Sequence, residues 1–225
     1  MSYFDEIKDK AIFIRLPERD KYLEYEIDGI IDFPIVDESY FYKGWENNEH
    51  HYTTKYHQNI FLPKLDKILN IGMDLKNDFH VVTKFYNGFD ISMLFPNQEI
   101  IYDAYDLTDD IFVKNEKYEN FVNCYDFPDV YGCVPSEFHK LFRFFHRVSV
   151  IVNKTTEKNK KLLISCDSQM IPSIMPLSFY YKELWVFDNR RTDQNFEHFL
   201  KLVDFDDILI QLNYNPLYKY INNLQ

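Results

Sequence analysis

The second half of the chain alternates short, continuously apolar runs with segments of helical period. The apolar runs are LLIS (162–165), LWVF (184–187) and ILIQL (208–212), and segments with helical spacing lie between them at about 171–181 and 196–202. Apolar strands joined by helical crossovers are what a parallel sheet covered on both faces requires. We therefore predict an α/β protein with three layers, α/β/α, around a mainly parallel sheet.

The first half is more irregular, and we expect it to complete the same domain. A helix is predicted from about Thr54 to Asn70, with Pro63 kinking or delaying it. Short β-like runs follow between Phe79 and Tyr125, at 80–86, 99–105 and 119–125, and then a helix at 136–145 and an apolar strand at 148–152 are predicted. An apolar fraction of 46% in 225 residues can form one sizeable core. No linker-like stretch interrupts the sequence, so a single domain over residues 1–225 is predicted.

Charge and cysteine content exclude several classes of protein. The chain carries 25 Lys and Arg against 36 Asp and Glu, a formal net charge of -11. This argues against a nucleic-acid partner, which needs phosphate neutralisation. Three cysteines without a C-x-x-C pair predict no disulfide framework and a cytoplasmic location. We find no apolar run of the roughly 20 residues that span a bilayer and no secretory signal. The sequence leaves the oligomeric state open.

Polar residues follow each of the three apolar runs. Cys166-Asp167-Ser168 comes after the first, Asp188-Asn189-Arg190 after the second and Asn213-Tyr214-Asn215 after the third. In open parallel sheets, ligands bind beyond the carboxyl ends of the strands. These three segments should converge on one edge of the sheet, which is the candidate site.

Ser168 is the sharpest candidate for chemistry at this edge. A serine at a strand-to-helix turn can expose its hydroxyl, while the following helix offers backbone N–H groups to a developing oxyanion. The alternative role is a helix N-cap, which serine fills equally well. A nucleophilic serine also needs a base, so the histidines decide between the two roles.

The adjacent pair of histidines lies in ENNEHHYTTKYH, residues 46–57. Glu49 stands two residues before His51 and could orient its imidazole, as the acid does in a Ser-His-acid triad. The same segment also offers His50, His57 and Glu46 as metal ligands, although no H-E-x-x-H pattern is present. A metal-dependent hydrolase therefore remains a second interpretation of this segment.

The two ends of this pattern together resemble one family. EHHYT (49–53) resembles the D-H-H-W-T signature of the DHHW family and the D-x-H-W motif of the related alginate O-acetylation proteins, within the SGNH hydrolase-like superfamily. The run from 162 to 190 resembles their G-D-S block, the helix after it and the strand that ends in D-x-R. DFDDILIQLNYNP (204–216) resembles the strand with the G-x-N-D block. The resemblance spans roughly Trp45 to the C-terminus and implies an SGNH hydrolase-like α/β/α fold.

The resemblance also implies the roles of individual residues. In the catalytic triad, Ser168 matches the nucleophile, His51 the general base and Glu49 the acid. Oxyanion or substrate contacts are implied for Asn215 or Asn213, for Arg190, and for Tyr52 at the aromatic position. The site needs no metal and no cofactor, apart from an acyl donor such as acetyl-CoA if the protein is a transferase.

The implied function is acyl transfer on a carbohydrate ester. The enzyme would be an O-acetyltransferase or acetylesterase that modifies a bacterial surface glycan of capsule type. A non-catalytic glycan-binding or assembly protein with a degenerate site is the alternative. Three departures from the family pattern motivate that alternative: Glu49 replaces Asp, Cys166 replaces the Gly of G-D-S, and Pro216 replaces the Asp of G-x-N-D.

Overall fold

The computed structural model describes residues 10–17, 29–34, 36–41, 52–86, 89–98, 100–108, 111–114, 148–188, 200 and 203–212. Ten strands lie within these ranges: β1 (Ala11–Arg15), β2 (Ile30–Asp32), β3 (Phe79–Tyr86), β4 (Phe89–Pro96), β5 (Tyr102–Thr108), β6 (Ile111–Lys114), β7 (Val148–Asn153), β8 (Lys161–Cys166), β9 (Glu183–Asp188) and β10 (Asp207–Gln211). The predicted β-run 119–125 and the predicted helix 136–145 lie outside the described residues.

Eight of these strands form one mixed sheet. Its order is β2-β1-β10-β8-β9-β7-β5-β6, and β3 pairs with β4 in a separate antiparallel ribbon. The pairs from β2 to β9 are parallel, whereas β7, β5 and β6 join antiparallel to their neighbours. The prediction of a mainly parallel sheet is confirmed, with an antiparallel half that the apolar runs did not indicate.

Both faces of the sheet are covered, as three layers require. Along β8, Leu162 and Ile164 enter one apolar cluster, while Leu163 between them enters a second cluster on the opposite face. Alternate residues of a strand point to opposite faces, so a strand covered on both sides must be apolar throughout. Leu200, at a helical position, and Phe205 pack against the second cluster. The predicted α/β/α class is confirmed.

A continuous helical run from 54 to 69 confirms the first predicted helix. It consists of α1 (Thr54–Tyr56), a π-helical turn (His57–Phe61) and α2 (Leu62–Leu69). In the π-turn the Leu62 N–H bonds to the His57 carbonyl. Pro63 follows directly and has no N–H to donate. The wider π-turn before it lets the helical run continue through this position without that hydrogen bond. The run ends where Asn70 takes a left-handed conformation with φ 49°.

Two further α-helices are described, α3 (Leu75–Asp78) and α4 (Ile171–Tyr180), together with short 3-10 helices at Glu38–Tyr40 and Ser168–Met170. The buried amide of Asn153 fixes α4 over the sheet, because its Nδ2 donates to the carbonyls of Ser178 (3.1 Å) and Phe179 (3.2 Å). These bonds satisfy carbonyls that a helix C-terminus leaves without intrahelical partners. Among the described helices, none is long and apolar enough to cross a membrane.

Candidate active site

The carboxyl ends of four strands meet at one edge of the sheet. β1, β10, β8 and β9 are consecutive parallel neighbours, so Pro17, Leu212, Asp167 and Asp188 lie at or just beyond that edge. The described residues Asp167, Ser168 and Asp188 lie at this edge, whereas 189–190 and 213–215 lie outside the described residues, so the convergence of the three segments stays a prediction. Ser168 opens a short 3-10 helix, Ser168–Met170, directly beyond this edge.

The turn around Ser168 is held by buried side chains on both of its sides. The Asp167 N–H donates to Gln211 Oε1 (3.1 Å), and the Gln169 N–H donates to Asp167 Oδ1 (2.8 Å). The Met170 N–H bonds to the Asp167 carbonyl (3.2 Å). Asp167 thus supplies the side-chain oxygen that caps this turn, a role that the sequence had left open to Ser168. Helix α4 begins afterwards, with Met170 at its N-cap position.

Gln211 of β10 makes a second hydrogen bond to the turn around Ser168. Gln211 Nε2 donates to Gln169 Oε1 at 3.3 Å, so one side chain of β10 bonds to the residues before and after Ser168. Asp167, Gln169 and Gln211 are each at least 98% buried. Buried polar groups that are hydrogen-bonded in this way rigidify a site. The backbone that carries Ser168 is therefore fixed by β10.

Cys166 departs from the family pattern without disturbing this turn. Its side chain is fully buried and belongs to the cluster that contains Ile164 and Ile174. The side chain therefore packs inward, beneath the turn. A cysteine in place of glycine fills core volume here instead of crowding the edge.

Tyr52, the residue after His51, is attached to the same edge. Its ring is fully buried and stacks on Tyr56, with ring centroids 3.9 Å apart. Its hydroxyl donates to the carbonyl of Pro17, at the carboxyl end of β1. β1 lies two strands from β8, or about 10 Å at the usual strand spacing. The chain next to His51 is thus anchored on the edge where Ser168 lies.

His57 and Ser173 form a buried contact that the sequence did not predict. His57 Nδ1 lies 2.7 Å from Ser173 Oγ, and both side chains are fully buried. Burial lowers the pKa of His57 from 6.5 to about 3, with the backbone of Gln169 opposing the shift. The imidazole is therefore neutral, because burial disfavours its charged form.

The sequence did contain a signal for this contact. His57 occupies the apolar stripe of its helix, with Phe61, Leu65 and Leu69 following at intervals of four residues, all buried. Ser173 is likewise a polar residue in an almost wholly apolar helix, IPSIMPLSFY. A polar side chain on an apolar face must find a partner, and here the two partner each other.

The other predicted site residues lie outside the described residues: Glu49, His51, Arg190, Asn213 and Asn215. Their roles stay predictions, as does that of the Ser168 hydroxyl. Of the histidine and carboxylate groups considered as metal ligands, His57 is described and bonds to Ser173. Within the described part of the chain, no three His, Cys, Asp or Glu side chains are grouped as a metal site requires.

Comparison with known proteins places the fold among solved structures. No protein-family model matches the chain, and no curated protein matches it in sequence. The structure is similar to a DHHW family protein from Eubacterium siraeum (TM-score 0.61, 12% identity, covering 95% of this chain and 82% of that one).

It is also similar to two structures of PatB1 from Bacillus cereus. One carries a sulfonyl adduct (TM-score 0.59, 11% identity, covering 92% of this chain and 82% of that one). The other has a TM-score of 0.61 at 11% identity and covers 93% of this chain and 84% of that one. At such identities the likeness concerns the fold alone. This chain has the fold of a DHHW family protein, as its EHHYT and CDS segments predicted.

Proposed function

We propose that this protein is a serine-dependent acyltransferase or esterase that acts on a carbohydrate ester. The observation that carries the proposal is the place of Ser168, directly after β8 at the carboxyl edge of a sheet with the DHHW-type fold. Its turn is held rigid by Asp167 and Gln211, which preorganisation of a nucleophile requires. The anchored position of Tyr52 on the same edge supports the pairing of Ser168 with His51.

In the proposed reaction, His51 takes the proton of the Ser168 hydroxyl while Oγ attacks the acyl carbonyl carbon. The tetrahedral intermediate collapses, the bond to the donor's leaving group breaks, and that group receives the proton from His51. A sugar hydroxyl or water then attacks the acyl-serine through the same base and releases Ser168. Glu49 orients the imidazole and stabilises its charged form.

The hydrogen bonds of the turn support a proposal for the oxyanion donor. The amides of Gln169 and Met170 already donate to Asp167. We assign the oxyanion contact to the Ser168 N–H, with Asn215 or Asn213 as the second donor. Arg190 would bind substrate as a bidentate donor. Because the Tyr52 ring is fully buried, we assign it to holding the base segment instead of contacting the sugar.

The acceptor we propose is a bacterial surface glycan of capsule type, with an acetyl thioester as the donor if the protein transfers the group. Whether transfer or hydrolysis dominates depends on how well the site excludes water. The alternative of a glycan-binding protein with a degenerate site was based partly on Cys166 in place of glycine. Because the Cys166 side chain packs into the core, this substitution no longer argues for a degenerate site. Activity measurements decide between the two.

The first test is hydrolysis of p-nitrophenyl acetate. Ser168→Ala and His51→Ala should each lower the rate by a factor on the order of 10³ or more, because members of a triad act as a unit. Ser178→Ala and His80→Ala are the matched controls: Ser178 is buried in α4, and exposed His80 bonds to Asn97. Equal activity in all five proteins would refute the proposal and favour the binding protein.

A second test uses covalent capture. The neighbour PatB1 is known with a sulfonyl adduct. An activated serine attacks a sulfonyl fluoride at sulfur and expels fluoride, so phenylmethanesulfonyl fluoride should modify the peptide that contains Ser168. Mass spectrometry should find the adduct in the wild type and in Ser178→Ala, and lose it in Ser168→Ala. Modification at other residues alone would contradict the assignment of the nucleophile.

A further inference from the structure

We propose that His57 and Ser173 are a pair of positioning residues that sets the distance between the general base and the nucleophile. The pair lies beside the reacting groups along the chain, since His57 follows His51 by six residues and Ser173 follows Ser168 by five. The inference rests on the proposed function and names residues outside the triad. Both side chains are fully buried, so neither can contact the substrate.

The pair joins the two segments that must meet for catalysis. His57 Nδ1 and Ser173 Oγ, 2.7 Å apart, link the π-turn directly to α4. The π-turn matters because inserting one residue per turn changes where a helical side chain points, and such turns are frequent at functional sites. Here the π-turn contains His57, whose side chain contacts Ser173 in α4, the helix that follows Ser168.

The chain on the His57 side of the pair has little freedom. The Thr53 N–H bonds to the Tyr40 carbonyl (2.7 Å), and the helical run begins at Thr54. Tyr52 stacks on Tyr56 and also packs on the ring of Phe41, with centroids 4.6 Å apart. A shift of His57 is therefore transmitted to residue 52, the neighbour of the base.

The chain on the Ser173 side is equally constrained. Asp167 bonds to the amides of Gln169 and Met170, and α4 begins at Ile171. Ser173 lies within the first turn of α4, so little freedom separates it from Ser168. A displacement of about 1 Å between reacting groups can lower a rate by about two orders of magnitude. The bond between His57 and Ser173 is placed to prevent such a displacement.

Two serines of α4 allow a matched experiment. Ser178 is also buried, and its hydroxyl bonds to Tyr102 Oη (3.2 Å) and to the Met175 carbonyl (2.8 Å). It lies five residues beyond Ser173, or about 7.5 Å further along the helix axis. Ser173→Ala and Ser178→Ala thus each remove one buried, hydrogen-bonded hydroxyl, but only the first breaks the link between the two segments.

The measurement is hydrolysis of p-nitrophenyl acetate well below the melting temperature of every variant. We expect Ser173→Ala to lower kcat by about 10- to 100-fold with KM within about twofold, and Ser178→Ala to keep kcat within about twofold. Both should lower the melting temperature, since each removes one buried hydroxyl and its hydrogen bonds. Ser173→Thr, which keeps a hydroxyl, should recover part of kcat.

The outcomes separate the two proposals. If Ser168→Ala abolishes activity but Ser173→Ala and Ser178→Ala have the same kcat, the positioning pair is wrong and the acyl-enzyme stands. If Ser168→Ala is as active as the wild type, the proposed function is wrong and the positioning role falls with it. Should alanine at 173 prevent folding, Ser173→Cys and Ser178→Cys repeat the comparison with a near-isosteric, weak hydrogen-bonding side chain.

Discussion

The buried His57 should make the stability of this protein fall as the pH drops below 6.5. In the unfolded chain the imidazole titrates at its ordinary pKa of 6.5, whereas burial in the folded state lowers its pKa to about 3. Between these values the unfolded chain binds a proton that the folded chain cannot. The stabilising contribution is therefore complete above pH 6.5 and is lost as the pH falls toward 3.

The magnitude follows from the two pKa values. Each pH unit below 6.5 costs about 1.4 kcal/mol of folding free energy. Lowering the pH from 8 to 5 covers roughly one and a half pH units below 6.5. Protonation of His57 in the unfolded chain should therefore lower the free energy of unfolding by about 2 kcal/mol. By pH 3 the loss from this residue would approach about 5 kcal/mol.

Urea unfolding of the wild type and of His57→Gln at pH 8 and pH 5 measures this contribution. Glutamine is neutral at both pH values and can still bond to Ser173. The loss of unfolding free energy between pH 8 and pH 5 should be about 2 kcal/mol smaller in His57→Gln than in the wild type. His80→Gln, at an exposed histidine, leaves the His57 contribution in place. Parallel pH dependences of His57→Gln and the wild type would refute the reasoning.

Substitutions at three positions test the packing around the site. Asn153→Ala should lower the free energy of unfolding by about 2 kcal/mol, because its buried amide bonds to the end of α4; a change below about 0.5 kcal/mol in urea titration would contradict this. Tyr52→Phe removes the hydroxyl that bonds to Pro17 and should cost about 1 kcal/mol, measured by the same titration, and an unchanged midpoint would speak against that bond. Cys166→Gly should cost about 1–3 kcal/mol and more than Cys166→Ala, since it empties a fully buried position; a more stable glycine variant would show that cysteine does crowd the turn.

The sheet beside the site could be predicted because its strands are apolar on both faces. The run 162–165 became β8 with one more residue at each end, Lys161–Cys166, and 184–187 did the same in β9. The direction of β7 could not be predicted in this way. Its apolar sequence fits either orientation, and how the chain returns to the sheet decides that β7 pairs antiparallel with β9.

The ribbon of β3 and β4 also has a signal in the sequence. Strand β4 was missed, although Asn87-Gly88 between two β-prone runs is a strong indication of paired antiparallel strands. Ser168 was found because polar residues after a buried strand mark the binding edge. Residues 190, 213 and 215 follow from the same rule, and residues 49 and 51 from a carboxylate close to a pair of histidines. Their assignment to one site came from family resemblance, since the sequence alone does not specify which distant segments meet.

The position of β10 in the sheet has a consequence for how the protein is made. β10 lies between β1 and β8, although almost the whole chain separates it from β1. On the ribosome, β1 and β2 therefore cannot join β8 in the main sheet until β10 has been made. Such long-range pairing slows folding, because the cost of closing the loop comes before the contacts that reward it. Gln211 belongs to β10 and bonds to Asp167, so the turn of Ser168 is completed only after β10 has been made. A chain made only as far as β9 would thus lack an ordered candidate nucleophile.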